Sequence, residues 1–195
     1  MADSEWKKIM RGYDCVLALL RQDRPAIDCY KQMTSQLSKI YPHKIWSALE
    51  GIRMTDDIEK VGPSLVGQLA RPAARSGRDL YFGLDTLNMR GGRGTNIEMA
   101  LLDTGWGGKS KLLKGLYEMW QIYAPLDDYD LSQFIEMPLW VGYTGIVLIE
   151  SLRAAESVAA GDAGTRTVVW GHHDGDLFKL AKFDGKRMTI VAKKN

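Results

Sequence analysis

TRTVVWGHHDGDLFKLAKFDGKRMTIVA, residues 165–192, contains three runs rich in β-branched and aromatic residues, and an Asp-Gly pair lies in each of the two gaps between them. Asp-Gly is typical of two-residue hairpin loops, because both residues tolerate the positive φ angles that such loops need. The runs at 165–170, 176–183 and 186–192 therefore predict a three-stranded antiparallel meander.

If both loops have two residues, the alternation of side chains along a strand predicts which residues share a face. One face then holds Trp170, Val168, Phe183, Ala181, Met188 and Ile190, and the other holds Val169, Phe178, Leu180 and Val191. Both faces are partly apolar. One can cover a helical body, and the other needs a cover of its own, which is another element of the chain, a second subunit or a partner.

The residues before this meander favour helices. Apolar residues recur at three- and four-residue spacing in residues 4–22, and they do so again between Pro25, which suits the first turn of a helix, and Pro42. Residues 64–94 contain several glycines and predict short helices with irregular links. Further helices are predicted in the segments that begin near Ile45, Thr55, Thr95, Ser110 and Asp130.

Two of these predicted helix starts depend on local capping signals. Thr95-Asn96-Ile97-Glu98 fits the capping box, in which the first and fourth side chains satisfy free amides at the start of a helix. Ser110 is a suitable N-cap for the next helix, since serine is a preferred residue at that position.

The pattern as a whole predicts an α+β fold. A mainly helical body of about seven or eight helices spans residues 1–160, and a C-terminal three-stranded antiparallel β-meander spans residues 161–195 and packs on that body within one domain. Pro138–Ile149 is the most apolar stretch, but it has only twelve residues and includes two glycines. It is therefore interpreted as part of a buried core helix.

The bulk composition narrows the classes of partner. The chain has 26 basic and 24 acidic side chains, so no whole-molecule field attracts nucleic acid or an anionic membrane. The first residues lack the apolar core of a secretory signal, which favours a cytoplasmic protein without a membrane partner. Cys15 and Cys29 are expected to be buried reduced thiols, with a redox link between them as the alternative.

The first Asp-Gly gap raises the question of a catalytic or metal site, because His172, His173, Asp174 and Asp176 lie there. In the predicted register His173 opposes Asp176 and His172 points to the other face, so adjacent histidines cannot reach one ion from the same side. His43 has no recognised spacing to this segment. The string is similar to the motif of metal-dependent phosphohydrolases but lacks their flanking helices. The favoured interpretation is a hairpin turn without a metal or cofactor, and the alternative is acid–base or metal chemistry.

Arg90 and Arg93 lie in a glycine-rich segment, residues 88–95, that precedes a predicted helix start. Free amides at a helix start and nearby arginines favour phosphate or carboxylate groups. The segment lacks the Gly-Lys-Ser ending of a P-loop, and the Gly-Lys-Ser at 108–110 has Asp103 where that motif needs glycine. A flexible surface loop is therefore favoured, with an anion contact as the alternative.

Charge is segregated along the chain although the total nearly balances. Residues 60–95 contain six basic and two acidic side chains, whereas residues 96–162 contain four basic and ten acidic ones. Such asymmetry can steer a charged partner. The candidate contact residues in these two segments are Arg90, Arg93, Trp106, Asp127, Asp128 and Asp130.

These features favour a non-catalytic protein-binding module, since charge is segregated and the predicted sheet is apolar on both faces. The expected function is inhibition of a partner protein, such as a toxin or effector, in the manner of bacterial immunity proteins and antitoxins. A homodimer is a further way to cover the sheet. The alternative is a hydrolase or transferase that acts on a phosphorylated substrate through the arginine–glycine segment and His172–His173. Nucleic-acid binding is a weaker alternative, because no aromatic interleaving accompanies the arginines.

Overall fold

The computed structural model describes residues 3–75, 79–89, 92–102, 109–118, 122, 129, 131–162, 164–172 and 176–195. For residues 85–89, 92–102 and 109–118 the description concerns the backbone and its strand pairing. We number the helices α1 (Asp3–Leu20), α2 (Ala26–Ile40), α3 (Ile45–Leu49), α4 (Met54–Leu69), α5 (Pro72–Arg75), α6 (Gln133–Ala154) and α7 (Glu156–Ala159). The strands are β1 (Asp79–Met89), β2 (Gly92–Leu102), β3 (Lys109–Glu118), β4 (Thr165–His172), β5 (Leu177–Asp184) and β6 (Arg187–Lys194).

The six strands form one sheet in the order β3-β2-β1-β4-β5-β6. Strands β1, β2 and β3 pair antiparallel, and so do β4, β5 and β6, whereas β1 and β4 pair parallel at the centre. The α+β fold class and the C-terminal antiparallel meander predicted from the sequence are therefore confirmed. The meander is half of a larger sheet, and the helices pack on one face of that sheet.

The prediction that helices start at Thr95 and Ser110 is wrong, because these residues lie in β2 and β3. The pairing of β1 with β2 runs without interruption from Asp79–Leu102 to Met89–Gly92. A capping box stabilises a helix start by only about 1 kcal/mol. Eleven consecutive cross-strand pairs outweigh that local preference, since tertiary context routinely overrides local propensity.

The faces predicted for the first hairpin of the meander are also wrong in part. Phe178 pairs with Trp170 on the helix-facing side of the sheet, although the sequence placed these two residues on opposite faces. The hairpin closes where the His172 N–H donates to the Asp176 carbonyl at 3.2 Å, so the loop does not have two residues and the register shifts by one. A β-bulge at Leu180 turns that side chain into the same core. In the second hairpin Phe183 and Met188 share a face, as predicted, but Asp184 pairs with Arg187, so the two loop residues are Gly185 and Lys186 and not Asp184 and Gly185.

Gly171 allows the first hairpin to close tightly. Its φ is +149°, a value that L side chains rarely adopt, and a Cβ at this position would lie 2.1 Å from the Asp176 carbonyl oxygen. Any side chain would therefore push the two strands apart at the end of the hairpin.

Helix α6 is the central helix of the core. By length and composition it could span a membrane, yet 83% of its most apolar window is buried inside the fold. The prediction that Pro138–Ile149 belongs to a buried core helix is confirmed. Among the described residues, α6 is the helix that is long and apolar enough to span a membrane. Its burial is typical of a core helix in a globular fold.

Helices α1 and α6 approach each other closely at glycines. A Cβ on Gly12 would lie 2.4 Å from the Pro138 Cγ, and a Cβ on Gly142 would lie 2.2 Å from the Met33 Sδ and 3.1 Å from the Val16 Cγ1. Because Gly12 and Gly142 have no side chain, the helices can pack closely at these positions. Atoms of Pro138, Met33 and Val16 fill the space that a methyl group would need.

Buried polar groups connect the helices to each other and to the sheet. The Tyr143 hydroxyl on α6 donates to the Asp57 carboxylate on α4 at 2.7 Å. The Arg166 guanidinium on β4 donates to the Ala159 carbonyl at 2.7 Å and to the Ala74 carbonyl at 2.6 Å. These bonds cap the ends of two short helices from the sheet, since carbonyls at a helix C-terminus lack partners within the helix.

The outer face of the sheet has a small apolar cluster of its own. Tyr81 is 5% exposed and Val169 is 2% exposed, and Leu177 packs against them. The Tyr81 ring lies over Gly83 on the same strand, with its Cε1 3.1 Å from the place of a glycine Cβ. The chain itself therefore covers this part of the second face, and no partner is needed to hide it.

Candidate functional site

Most of the predicted contact residues cannot be placed in the site. Arg90, Trp106, Asp127, Asp128 and Asp130 lie outside the described residues, as do His173 and Asp174. Arg93 lies in β2, where its backbone pairs with Asn88. Their proposed roles in binding remain predictions.

His172 lies at the end of β4, in register with Leu84 of β1 on the helix-facing side of the sheet. Burial lowers the pKa of its imidazole, and this effect is opposed by the Asp176 carboxylate and by a hydrogen bond with the Met137 backbone. Its Nε2 is buried and makes no hydrogen bond within the described part of the molecule. The pKa is depressed, and burial therefore favours the neutral imidazole.

Asp176 is held by ionic and packing contacts at the same end of the sheet. Its side chain is 15% exposed, and its carboxylate lies 3.3 Å from the Lys194 Nζ. That ammonium also lies 3.2 Å from the Met10 Sδ and 5.1 Å from the centre of the Trp6 ring. Asp176 therefore ties the first hairpin to β6 and α1.

Tyr13 completes this group of buried polar side chains. Burial raises the pKa of its hydroxyl, and the nearby Asp176 carboxylate raises it further. The hydroxyl has no hydrogen-bond partner among the described residues. No group of three or more His, Cys, Asp and Glu side chains in the described ranges could hold a metal ion. Within the described residues, Asp176 contacts Lys194, and His172 contacts the Met137 backbone.

A surface groove between α2, α3 and the start of α4 offers a binding site that the sequence did not reveal. We call it the α2–α4 groove; its volume is about 600 Å³. Its apolar and aromatic lining comprises Tyr30, Trp46, Ile52 and Met54. Ile27, on the same lining, is 49% exposed and is one of the two large apolar side chains exposed on the described surface.

Three polar side chains of the α2–α4 groove use their own hydrogens in bonds within the fold. The Tyr30 hydroxyl donates to the Leu49 carbonyl at 2.8 Å, and the Trp46 Nε1 donates to the Tyr41 carbonyl at 2.7 Å. The Thr34 hydroxyl likewise donates to the Tyr30 carbonyl at 3.1 Å. The groove therefore offers a ligand apolar surface and oxygen lone pairs, because these donors are already engaged.

Charged side chains stand on the rim of the α2–α4 groove. Lys31 and Glu50 are exposed, and the Arg53 guanidinium pairs with the Asp56 carboxylate at 3.2 Å. Arg53 is therefore partly neutralised, and Glu50 is the carboxylate that lines the groove. A bound segment can insert an apolar side chain at the centre and make polar contacts at the edge.

Sequence reasoning missed this groove because its residues come from three segments whose packing is not visible in one periodic pattern. One signal was available. Ile27 lies one turn before Tyr30 and two turns before Thr34 on α2, so the sequence places an apolar residue on a partly polar face of that helix. Both cysteine thiols are free, as the sequence favoured, but Cys15 is half-buried and only Cys29 is buried. Burial raises the pKa of Cys29 to about 11.

Comparison of the chain with models of protein families, with curated proteins and with solved structures finds no match.

Proposed function

We propose that this protein is a non-catalytic binding protein that inhibits a partner protein, in the manner of immunity proteins and antitoxins, and that the partner docks in the α2–α4 groove. The observation that carries the proposal is the exposed Ile27 beside a concave lining that contains Tyr30, Trp46 and Met54. Aromatic residues and methionine are enriched where proteins bind each other, and a few such side chains supply most of the binding energy.

The chemistry of the groove indicates the kind of segment that binds. An apolar anchor side chain of the partner fits beside Tyr30 and Trp46, because the donors of these two side chains are already engaged and are not left unsatisfied. A basic or amide side chain of the partner fits beside Glu50 and the Thr34 oxygen, which both accept hydrogen bonds. The partner is therefore a protein with a short apolar segment flanked by hydrogen-bond donors.

The α2–α4 groove is a different feature from the sheet face that favoured a binding function in the sequence. The apolar second face of the sheet no longer favours a partner, because Tyr81 and Val169 are already buried within the chain. The enzyme alternative gains no support from His172 and Asp176, whose contacts lie within the fold. The groove is an independent reason for the same class of function.

The proposal can be tested with two single substitutions that add the same charge to exposed apolar positions. Ile27→Asp places a carboxylate on the groove, whereas Ala18→Asp places one on the exposed surface of α1, away from the groove. Proteins that co-purify with the wild-type chain from its native cell are identified, and the activity of each purified candidate is assayed with the wild type and both variants.

We expect the wild type to inhibit one partner and Ile27→Asp to weaken binding by roughly tenfold or more, since a charge replaces a central apolar contact. Ala18→Asp should inhibit like the wild type. The thermal midpoints of both variants should stay close to that of the wild type, because both positions are exposed. Equal inhibition by both variants would refute the groove as the docking site, and unchanged activity of every co-purifying protein would refute inhibition.

A further inference from the structure

A second pocket is lined in part by α1, and its charged lining residues are basic. It has a volume of about 410 Å³ and lies among α1, the segment after α2, and the start of α6. Its charged and titratable lining residues are Lys8, Arg11 and His43. No lining residue in the described part of the chain carries a carboxylate. We call this cavity the basic pocket.

The basic side chains of this pocket are available to a ligand. Neither Lys8 nor Arg11 forms an ion pair with a described residue. The Lys8 ammonium lies 4.7 Å from the centre of the Phe134 ring, an attraction that orients the amine but leaves its charge unneutralised. Two positive charges that face one cavity without an ion-pair partner among the described residues repel each other, and a bound anion relieves that repulsion.

His43 presents a hydrogen-bond donor to the same pocket. Its Nδ1 accepts a hydrogen bond from the Ile45 backbone N–H at 3.2 Å. The Nδ1 is therefore unprotonated, and the ring proton is on Nε2, which can donate. His43 thus adds a directional donor to the two charges.

Apart from Ser132, the remaining lining of the basic pocket is aromatic and apolar. Tyr41 and Phe134 face each other with ring centres 5.6 Å apart, and Ile40, Pro42 and Ile135 complete this side. The Tyr41 hydroxyl donates to the Lys8 carbonyl, so the aromatic side and α1 are joined. One part of the cavity suits an oxyanion, and the other suits an apolar or aromatic group.

We propose that the basic pocket binds a small organic oxyanion, a carboxylate or phosphate attached to an apolar or aromatic body. Lys8, Arg11 and His43 hold the anionic head, and Tyr41 and Phe134 pack against the body. The volume lies within the range of small-molecule sites. This site is separate from the α2–α4 groove, and it shares no lining residue with that groove.

Titration calorimetry and backbone amide NMR on the whole chain test this proposal with four probes: phenyl phosphate, benzoate, inorganic phosphate and benzyl alcohol. We expect phenyl phosphate or benzoate to bind with amide shifts around Tyr41 and Phe134, and the tighter of the two identifies the head group. Inorganic phosphate should bind several-fold more weakly, because it lacks the apolar body, and benzyl alcohol should not bind measurably, because it lacks the charge.

A matched pair of variants separates a specific site from general attraction to a basic surface. Arg11→Gln should weaken phenyl phosphate binding by roughly five- to tenfold, whereas Lys7→Gln, on the same helix but outside the lining, should not change it. Equal affinities of the two variants, or benzyl alcohol binding as well as benzoate, would overturn the proposal. Both variants leave the α2–α4 groove intact, so inhibition of a partner is assayed independently and either proposal can fail alone.

Discussion

Replacing Gly142 with alanine tests the close packing of α6 against Met33 of α2 and Val16 of α1. The new Cβ would lie 2.2 Å from the Met33 Sδ and 3.1 Å from the Val16 Cγ1. The first distance is far below any normal contact, so Met33 must move. Met33 is buried in the core, and its movement displaces further neighbours. Overpacking of this kind costs about 1–3 kcal/mol.

The helix itself gains from the same substitution, because alanine favours a helix over glycine by about 0.5–1 kcal/mol. The net expected effect of Gly142→Ala is therefore a loss of up to about 2.5 kcal/mol in the free energy of unfolding. Gly67→Ala is the matched control. Gly67 is exposed in α4 and a Cβ there meets nothing within 4 Å, so only the helix preference remains and we expect a gain of about 0.5–1 kcal/mol.

Urea denaturation followed by far-UV circular dichroism measures both effects in one assay. The midpoint should fall for Gly142→Ala and rise for Gly67→Ala. Combining Gly142→Ala with Met33→Ala should reduce the additional cost of the Gly142 change, because the clashing sulfur is gone. The reasoning is refuted if Gly142→Ala is as stable as Gly67→Ala, since that result would mean that Met33 of α2 does not pack against Gly142 of α6 as described.

Two further substitutions test buried polar groups. Tyr143→Phe removes the hydroxyl that donates to the Asp57 carboxylate and should cost about 1.5–3 kcal/mol of stability, whereas Tyr30→Phe removes a bond to the neutral Leu49 carbonyl and should cost about 0.5–1.5 kcal/mol. Urea midpoints that rank the two variants in the reverse order would contradict the Asp57 contact. His172→Gln tests the lowered pKa of His172. In the unfolded chain this imidazole takes up a proton near its ordinary pKa of 6.5, whereas in the folded chain burial lowers the pKa and disfavours the proton. Below pH 6.5 protonation therefore favours the unfolded chain, and the free energy of unfolding falls with the pH. Glutamine does not titrate, so stability measured between pH 7.5 and 5.5 should fall less in the variant than in the wild type; parallel curves would show that His172 is not responsible.

The parts of the fold that the sequence predicted correctly are those whose signals are local. The apolar stripe of α1 and the Phe183–Met188 hairpin each follow from residues within a few positions of one another. The strand at Thr95 could not be predicted in this way, because its stability comes from pairing with β1 and its local sequence fits a helix start. The face of Phe178 was missed because a loop length and a bulge, which the Asp-Gly pair does not specify, fix the register.

The candidate sites were harder to predict than the fold. The sequence marks His172 and Asp176 as candidates because they are titratable residues near a turn. The charge and burial around Asp176 depend on Lys194 and Tyr13, which are distant from it in the sequence. The α2–α4 groove and the basic pocket consist of common residue types that become sites only when helices pack together. No spacing rule identifies such residues, since the relevant distances arise from tertiary structure.

The parallel pairing of β1 with β4 has a consequence for protein synthesis. The Asp79 carboxylate accepts a hydrogen bond from the Thr167 N–H across 88 positions of the chain, so β1 leaves the ribosome well before the strand that will lie beside it. Throughout that interval one edge of β1 has backbone groups without partners, and an edge of this kind recruits strands from other nascent chains. A ribosome that stalls before residue 165 would therefore release an aggregation-prone product, and chaperone demand should be concentrated in that window of translation.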